Sequence, residues 1–403
     1  MFFATHSLTP MPRLFEEELT VLEQRSLLRK LREIESQPGT IVTVQGRQVL
    51  NFSSNDYLGL AGEQFMRDAA KRAIDEYGVG ATASRLVCGN TTPHAMLESK
   101  LAEFKRTEAA VAFSSGYATA VGTLSALASR ADVIILDKLA HASLIDGARL
   151  SNATIRVFPN NDLKKLESHL QWAKDEAPDA RVFIVTESIF SMDGDRAPLV
   201  EIVALKQDYG ALLVVDEAHA VGVIGDNGRG LVDKLGVTAH VDIQMGTLSK
   251  ALGVAGGYIC GKRKLIDLLI NRARALIYST APPPALAMAA CAAIDFMESP
   301  EGEARRRRLW GNLKVLAAGL PTGLTPEKIQ SAIVPVMFGD EERALEAARW
   351  LLEKGFLVPA IRYPTVARGA ARLRVTVSAA HMTDQIESLT EALRLMHEKS
   401  VEG

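Results

Sequence analysis

Cysteine is scarce: the 403 residues contain three, Cys88, Cys260 and Cys291. No two of them form a C-x-x-C pair, which argues against a disulfide scaffold and a zinc site and for a reducing, cytoplasmic setting. Long apolar runs are also missing. The best, Ala285–Ile294, is far shorter than the roughly 18–20 residues that span a membrane. The first residues, Met1-Phe2-Phe3-Ala4-Thr5-His6, lack the basic start and apolar stretch of a secretory signal. Nor does charge of one sign prevail. Lys plus Arg number 46 against 48 Asp plus Glu, a net charge of −2, which excludes a broad positive field for nucleic acid or anionic lipid. The one basic cluster, Arg305–Arg308, lies in a charge-rich helical stretch and reads as a solvated helix face.

What is present is an ordinary globular composition, 47% apolar and 23% charged, in a chain long enough for two or three domains. Apolar residues at helical spacing predict one amphipathic helix over Leu14–Glu35. Ile41–Phe52 follows as a hairpin turning at Gln45-Gly46-Arg47. From about Ala61, short apolar strands alternate with helical stretches. The strands are Ala110–Phe113, Val133–Leu136, Thr154–Phe158, Val182–Val185, Ala211–Val215, Ile243–Met245 and Gly257–Cys260. Most are bare apolar runs, as strands buried on both faces should be. This pattern predicts an α/β fold with a mostly parallel seven-stranded sheet between helices. Past Pro282-Pro283-Pro284 comes a smaller α+β unit with strands Ala332–Met337, Leu357–Ile361 and Leu373–Val377 and helices Glu341–Lys354 and Asp384–Lys399. The division expected is an N-terminal segment over 1–60, a large domain over 61–284 and a small domain over 285–403.

Two motifs mislead. Gly256-Gly257-Tyr258-Ile259-Cys260-Gly261-Lys262 fits a nucleotide phosphate loop, and Asp216-Glu217-Ala218-His219 a magnesium motif. The next residue, however, is Arg263, where such a loop needs a magnesium-binding hydroxyl, and the order of the two motifs is inverted. Gly78-Val79-Gly80-Ala81-Thr82-Ala83 matches a dinucleotide fingerprint but follows a helical stretch instead of a strand.

The strand ends carry the chemistry, since an open α/β sheet binds ligands beyond the carboxyl ends of its strands. Ser114-Ser115-Gly116-Tyr117 ends one strand and opens a helix, whose free N–H groups suit a phosphate. Asp137 to His141 ends the next, Glu187 to Asp195 a third, and Asp216 with His219 a fourth. Thr247-Leu248-Ser249-Lys250 ends a fifth. A strand-end Asp followed 34 residues later by a Ser/Thr-rich Lys loop suits pyridoxal 5'-phosphate chemistry. The Lys amine forms the Schiff base, and the Asp stabilises the protonated ring nitrogen.

On these residues the chain resembles the α-oxoamine synthase family of fold-type I pyridoxal-phosphate enzymes. The likeness also rests on Asn51-Phe52-Ser53-Ser54-Asn55-Asp56-Tyr57-Leu58-Gly59-Leu60, His141-Ala142-Ser143-Leu144, Phe190-Ser191-Met192-Asp193-Gly194-Asp195 and Ala360-Ile361-Arg362 to Pro364-Thr365-Val366. The resemblance implies that Lys250 carries the cofactor and moves protons at the substrate α-carbon. It implies that Asp216 pairs the ring nitrogen and that His141 stacks on the ring and meets substrate. His219 and Ser191 would touch the cofactor's polar edge, while Gly116, Tyr117 and Thr247 surround its ring or phosphate. Glu187 and Asn55 would line the site. Arg362 would clamp the amino-acid carboxylate, and Arg32 and Thr365 would touch substrate. Implied further is a decarboxylative condensation of L-alanine with a pimeloyl thioester carried on coenzyme A or acyl carrier protein. A glycine-using sibling reaction is the alternative. The family also implies a homodimer, with Gly78–Arg85 and Ile277–Thr280 as crossing loops. Glu217 and the Leu248-Ser249 pair depart from the family's commonest residues.

Overall fold

The bare apolar runs pair into one seven-stranded sheet in the computed structural model, which describes residues 11–320 and 328–402. A small hairpin precedes that sheet, with strands β1 (Ile41–Val44) and β2 (Arg47–Asn51). The sheet itself comprises β3 (Ala109–Phe113), β4 (Val133–Asp137), β5 (Thr154–Phe158), β6 (Val182–Glu187), β7 (Leu212–Asp216), β8 (Ile243–Thr247) and β9 (Gly257–Gly261). Its order is β3-β9-β8-β7-β6-β4-β5. Only β9 runs against its neighbours, pairing antiparallel with both β3 and β8. The other six strands therefore end at one edge, and β9 begins there.

Helices cover both faces, so the strands need no polar face. One apolar cluster joins Ile184, Leu213 and Val215 to residues of the helices Gln64–Tyr77, Thr92–Phe104 and Pro284–Glu298. The other joins Val185, Val214 and Met245 to the helices Gly116–Leu127, Ala142–Ser151 and Arg263–Arg272. The second face is the one that carries the strand-end side chains described below.

The C-terminal third adds β10 (Ile333–Gly339), β11 (Phe356–Leu357), β12 (Ala360–Ile361) and β13 (Ala371–Thr376). The expected strand Leu357–Ile361 is in fact two stubs in two sheets. β11 extends the hairpin beside β2, whereas β12 joins β13 and β10 in a second small sheet. Pro359 sits between them and has no N–H to give a ladder; its carbonyl accepts from Arg374 N at 3.0 Å. The hairpin turns where expected, with Gln45 and Gly46 at φ 51° and 71°, the pair of positive values a tight hairpin turn requires.

Two expectations fail. The first helix is Met11–Gln24, not Leu14–Glu35. Leu27 N and Leu28 N both bond the Leu22 carbonyl, and Ser26 turns to φ 55°. Beyond it the chain docks against the C-terminal third: Arg362 Nη2 donates to the Leu28 carbonyl at 2.8 Å. Tertiary bonding there overrides a helical propensity that is worth only tenths of a kcal/mol per residue. The arginine run, likewise, is not a solvated face. Arg306 is 3% exposed and donates to the Met297 carbonyl at 2.8 Å. Arg305 bonds Glu63 and the Leu58 carbonyl, and Arg308 bonds the Ala379 carbonyl. These arginines satisfy loop carbonyls that have no partner in regular structure. No helix among the described residues is long and apolar enough to cross a membrane.

Candidate active site

Register sets the centre of the site. Glu187 ends β6 opposite Asp216 at the end of β7, and Asp216 pairs with Met245 of β8. Paired residues in a parallel sheet point to the same face. Both carboxylates therefore stand side by side over the second apolar cluster, two residues beyond Val185 and Val214. They line a cavity of about 270 Å³ with Gly116, Tyr117, His141, His219, Thr247 and Lys250. Eight residues named from the sequence thus converge at the carboxyl edge. Ser115, Ser143, Ala218, Met245 and Ser249 complete the wall. Each stands in a motif or strand read from the sequence, but none was given a role at the site there.

Each side chain has a local reason for its place. Ser115 caps the helix Gly116–Leu127 by accepting from Ala118 N at 3.1 Å. The N–H groups of Gly116 and Tyr117 remain as first-turn donors without intrahelical acceptors. Glycine is required nearby: a Cβ on Gly257 would lie 2.9 Å from Gly116 Cα. His141 caps the next helix, its Nδ1 accepting from Ser143 N at 3.2 Å and lying 2.7 Å from Ser143 Oγ. Thr247 Oγ1 donates to the Gly256 carbonyl at 2.9 Å and lies 2.7 Å from Ser249 Oγ. These bonds hold the turn that presents Lys250.

Burial dominates the electrostatics. It pushes the Lys250 amine below its usual range, opposed by the carboxylates of Asp216 and Glu187. It pushes the Asp216 carboxyl up, with Lys250 pulling the other way. Glu187 is raised well above the ordinary range by burial and by Asp216, although it accepts the His141 backbone N–H. Its Oε1 is buried without a partner. Burial also lowers His141. The cavity thus holds an amine whose charged form burial disfavours, a carboxyl group on the sheet edge and an unused acceptor.

The departure at Glu217 has a structural account. Glu217 turns to the opposite face, where Oε2 meets Lys105 Nζ at 2.5 Å and Oε1 accepts Val232 N at 2.9 Å. Both side chains of the pair are buried, and the longer carboxylate spans to Lys105 with every strong partner supplied.

The remaining sequence candidates lie outside that cavity wall. Ser191 is buried, and its carbonyl accepts from Arg374 Nε at 2.7 Å. Asn55 Oδ1 accepts from Arg374 Nη1 at 3.1 Å. Arg362 is 9% exposed, and its Nε is buried without a partner. Thr365 Oγ1 accepts from Arg29 Nη2 at 3.2 Å. Arg32 is exposed in the extended stretch after the first helix. Arg29, not Arg32, is the cation that the structure brings to Thr365 and Arg362. A helical reading of this stretch hid the difference, because residues three apart share one helix face.

A pyridoxal phosphate group fits these residues. First-turn N–H donors and the Ser249 hydroxyl suit its phosphate, with Thr247 holding the turn beside it, the buried Asp216 carboxylate suits its ring nitrogen, and the Lys250 amine its carbonyl carbon. Comparison with known proteins agrees. The family model for aminotransferase class I and II matches residues 47–393. An 8-amino-7-oxononanoate synthase from Geobacter sulfurreducens is 45% identical over 384 residues, covering 95% of this chain and 97% of that one. A serine palmitoyltransferase variant from S. paucimobilis with a bound PLP–myriocin aldimine superimposes with a TM-score of 0.91 at 29% identity, covering 97% and 99% of the two chains. An 8-amino-7-oxononanoate synthase from Francisella tularensis gives a TM-score of 0.74 at 29% identity, covering 88% of this chain and 98% of that one. With a family model over most of its length and near-full-length relatives well above the threshold of chance, this chain belongs to the class I and II aminotransferase family and, within it, to the 8-amino-7-oxononanoate synthases.

Proposed function

We propose that this protein condenses L-alanine with a pimeloyl thioester, releasing CO2 and the free thiol of coenzyme A or acyl carrier protein, to give 8-amino-7-oxononanoate in biotin synthesis. The observation that carries the reading is the meeting of Lys250, Asp216, Glu187 and His141 in one cavity at the carboxyl edge of the sheet. Pyridoxal phosphate, when bound, supplies an electron sink for charge that develops at the amino-acid α-carbon.

The chain's own residues do the rest. Asp216 would hold the ring nitrogen in its protonated form, and His141 would meet the ring. Gly116, Tyr117 and Thr247 would surround the phosphate end, with His219 and Ser191 toward the polar edge. Lys250 takes the proton from the α-carbon of alanine and returns one there after CO2 has left. Burial lowers its pKa, the direction that favours the free amine a general base requires. Arg362 orients the alanine carboxylate, and its partnerless Nε supports this role, since a guanidinium binds a carboxylate through paired N–H groups. Asn55 and Glu187 fix the surrounding wall.

The distal carboxylate of the pimeloyl group needs a cation or water. Arg29, tied to Thr365, meets that need better than Arg32. In a panel crossing alanine, glycine and serine with pimeloyl and monoacyl thioesters, alanine with pimeloyl thioester is expected to give the highest kcat/KM. In the same panel, Arg29→Ala should raise KM for the pimeloyl thioester by about 10-fold or more, equivalent to ~1–3 kcal/mol for a charge-assisted bond. Arg32→Ala should have little effect. Equal losses with the monoacyl chain would move Arg29 from the carboxylate to the carrier. Higher turnover with glycine would favour the sibling reaction.

A homodimer is part of the proposal. The helix Met11–Gln24 leaves Phe15 and Leu19 more than half exposed within one chain. The expected crossing segments meet through a bridge between Ser84 and Thr280, and Val79 and Tyr278 on them are 77% and 71% exposed. Such apolar surface suits a second copy. Three free cysteines fit a reducing cytoplasm.

A further inference from the structure

Two helix starts face the cavity, and one hydrogen bond ties them together. The helix Gly116–Leu127 presents the first-turn N–H groups of Gly116 and Tyr117, and the helix Ala142–Ser151 begins directly after His141. Tyr117 and His141 both line the cavity. Tyr117 Oη donates to Asp146 Oδ2 at 2.7 Å, so the bond runs from the first helix to the second. Asp146 pushes the Tyr117 hydroxyl up, and the donated proton is therefore kept.

A glycine brings Asp146 within reach. The next residue, Gly147, lies so near the first helix that a Cβ there would stand 2.8 Å from the Ala120 carbonyl oxygen and 3.1 Å from Val121 Cα. A residue without a Cβ allows this approach of the two backbones. Tyr117 lies about one helical turn before Ala120, toward the cavity, and that is where the Asp146 carboxylate meets its side chain.

Packing restrains the Tyr117 ring little, because the residue is 52% exposed and exposed side chains change rotamer rapidly. A hydrogen bond to a carboxylate at the far end of the ring supplies the restraint that packing does not. The other Asp146 oxygen, Oδ1, lies 3.8 Å from Arg149 Nη1 on its own helix, which leaves Oδ2 to Tyr117. The Asp146 charge also acts on His141, where with Asp216 it opposes the burial that lowers the imidazole.

We propose that Asp146 is a positioning residue: through Tyr117 it fixes the helix start that carries the phosphate donors against the helix start that carries His141, and so shapes the cavity before the cofactor binds. The cofactor in this statement rests on the functional reading above; the tie between the helices does not.

Asparagine at position 146 can still accept from the Tyr117 hydroxyl, whereas alanine cannot. Asp146→Ala and Tyr117→Phe are each expected to raise the dissociation constant for pyridoxal phosphate by about fivefold, the loss of one hydrogen bond. The double variant should be no weaker than either single one, since both remove the same bond. Asp146→Asn should bind as the unmodified protein does, and melting temperatures show that each variant is folded. Fluorine NMR of protein labelled with meta-fluorotyrosine reads the tie without any cofactor, with Tyr117→Phe identifying the signal. That signal should move in Asp146→Ala and stay in place in Asp146→Asn. Additive losses in the double variant, an Asp146→Asn variant as weak as Asp146→Ala, or a Tyr117 signal indifferent to Asp146→Ala would overturn the proposal. Failure of the unmodified protein to bind pyridoxal phosphate would instead refute the functional reading, and the fluorine signal would still decide the tie.

Discussion

Lys250→Ala is expected to abolish turnover and, with it, the visible absorption of the bound cofactor. The reason lies in the double use of one amine. Among the described residues Lys250 supplies the amine of the cavity wall, and in the proposed reaction it both attaches the cofactor and moves the α-proton. Losing such a nucleophile and base costs several orders of magnitude in rate, on the order of 4–8 kcal/mol in barrier. The variant should still fold, because Lys250 lies at the wall and not in either apolar cluster. Single-turnover assays and absorption spectra of the purified variant check this. Full activity with Lys250 absent would end the mechanism.

Asp216→Asn is expected to keep the cofactor bound while slowing removal of the alanine α-proton by about 10²–10³-fold, the usual cost of losing one pre-placed electrostatic partner. Asparagine preserves the shape and can still accept from Ala218 N, as Asp216 Oδ1 does at 2.9 Å. What it lacks is the charge proposed to hold a proton on the ring nitrogen. Burial in the sheet edge makes that charge matter, since water screens it little. Exchange of deuterium from alanine labelled at its α-carbon isolates this step. An unchanged exchange rate would show that Asp216 does not face the ring nitrogen.

The strand ends were legible because they need only local information. Bare apolar runs mark buried strands, and the residue ending each run must lie at the sheet edge. Glu187, Asp216 and Thr247 follow from that logic, and the register then brings them together. Contacts between distant segments were not legible. Arg29 reaches Thr365 across 336 positions, and nothing in the spacing of Arg29 and Arg32 tells which will do so once the first helix stops at Gln24. Arg374 alternates along β13 like any strand residue, yet it joins Ser191, Asn55 and Thr376. Arg305–Arg308 shows the same limit. Charge identifies the run, but the carbonyls that draw three of its members inward come from loops elsewhere in the chain.

The most direct test follows carbon, carboxylate and thiol in one reaction. Alanine labelled with carbon-13 at its carboxylate is mixed with pimeloyl-coenzyme A or pimeloyl-acyl carrier protein and the pyridoxal-phosphate-loaded protein. The expected outcome is one labelled CO2 and one free thiol for each 8-amino-7-oxononanoate, whose mass carries no label. Thiol released without labelled CO2, or labelled CO2 released without the condensed product, would contradict the account.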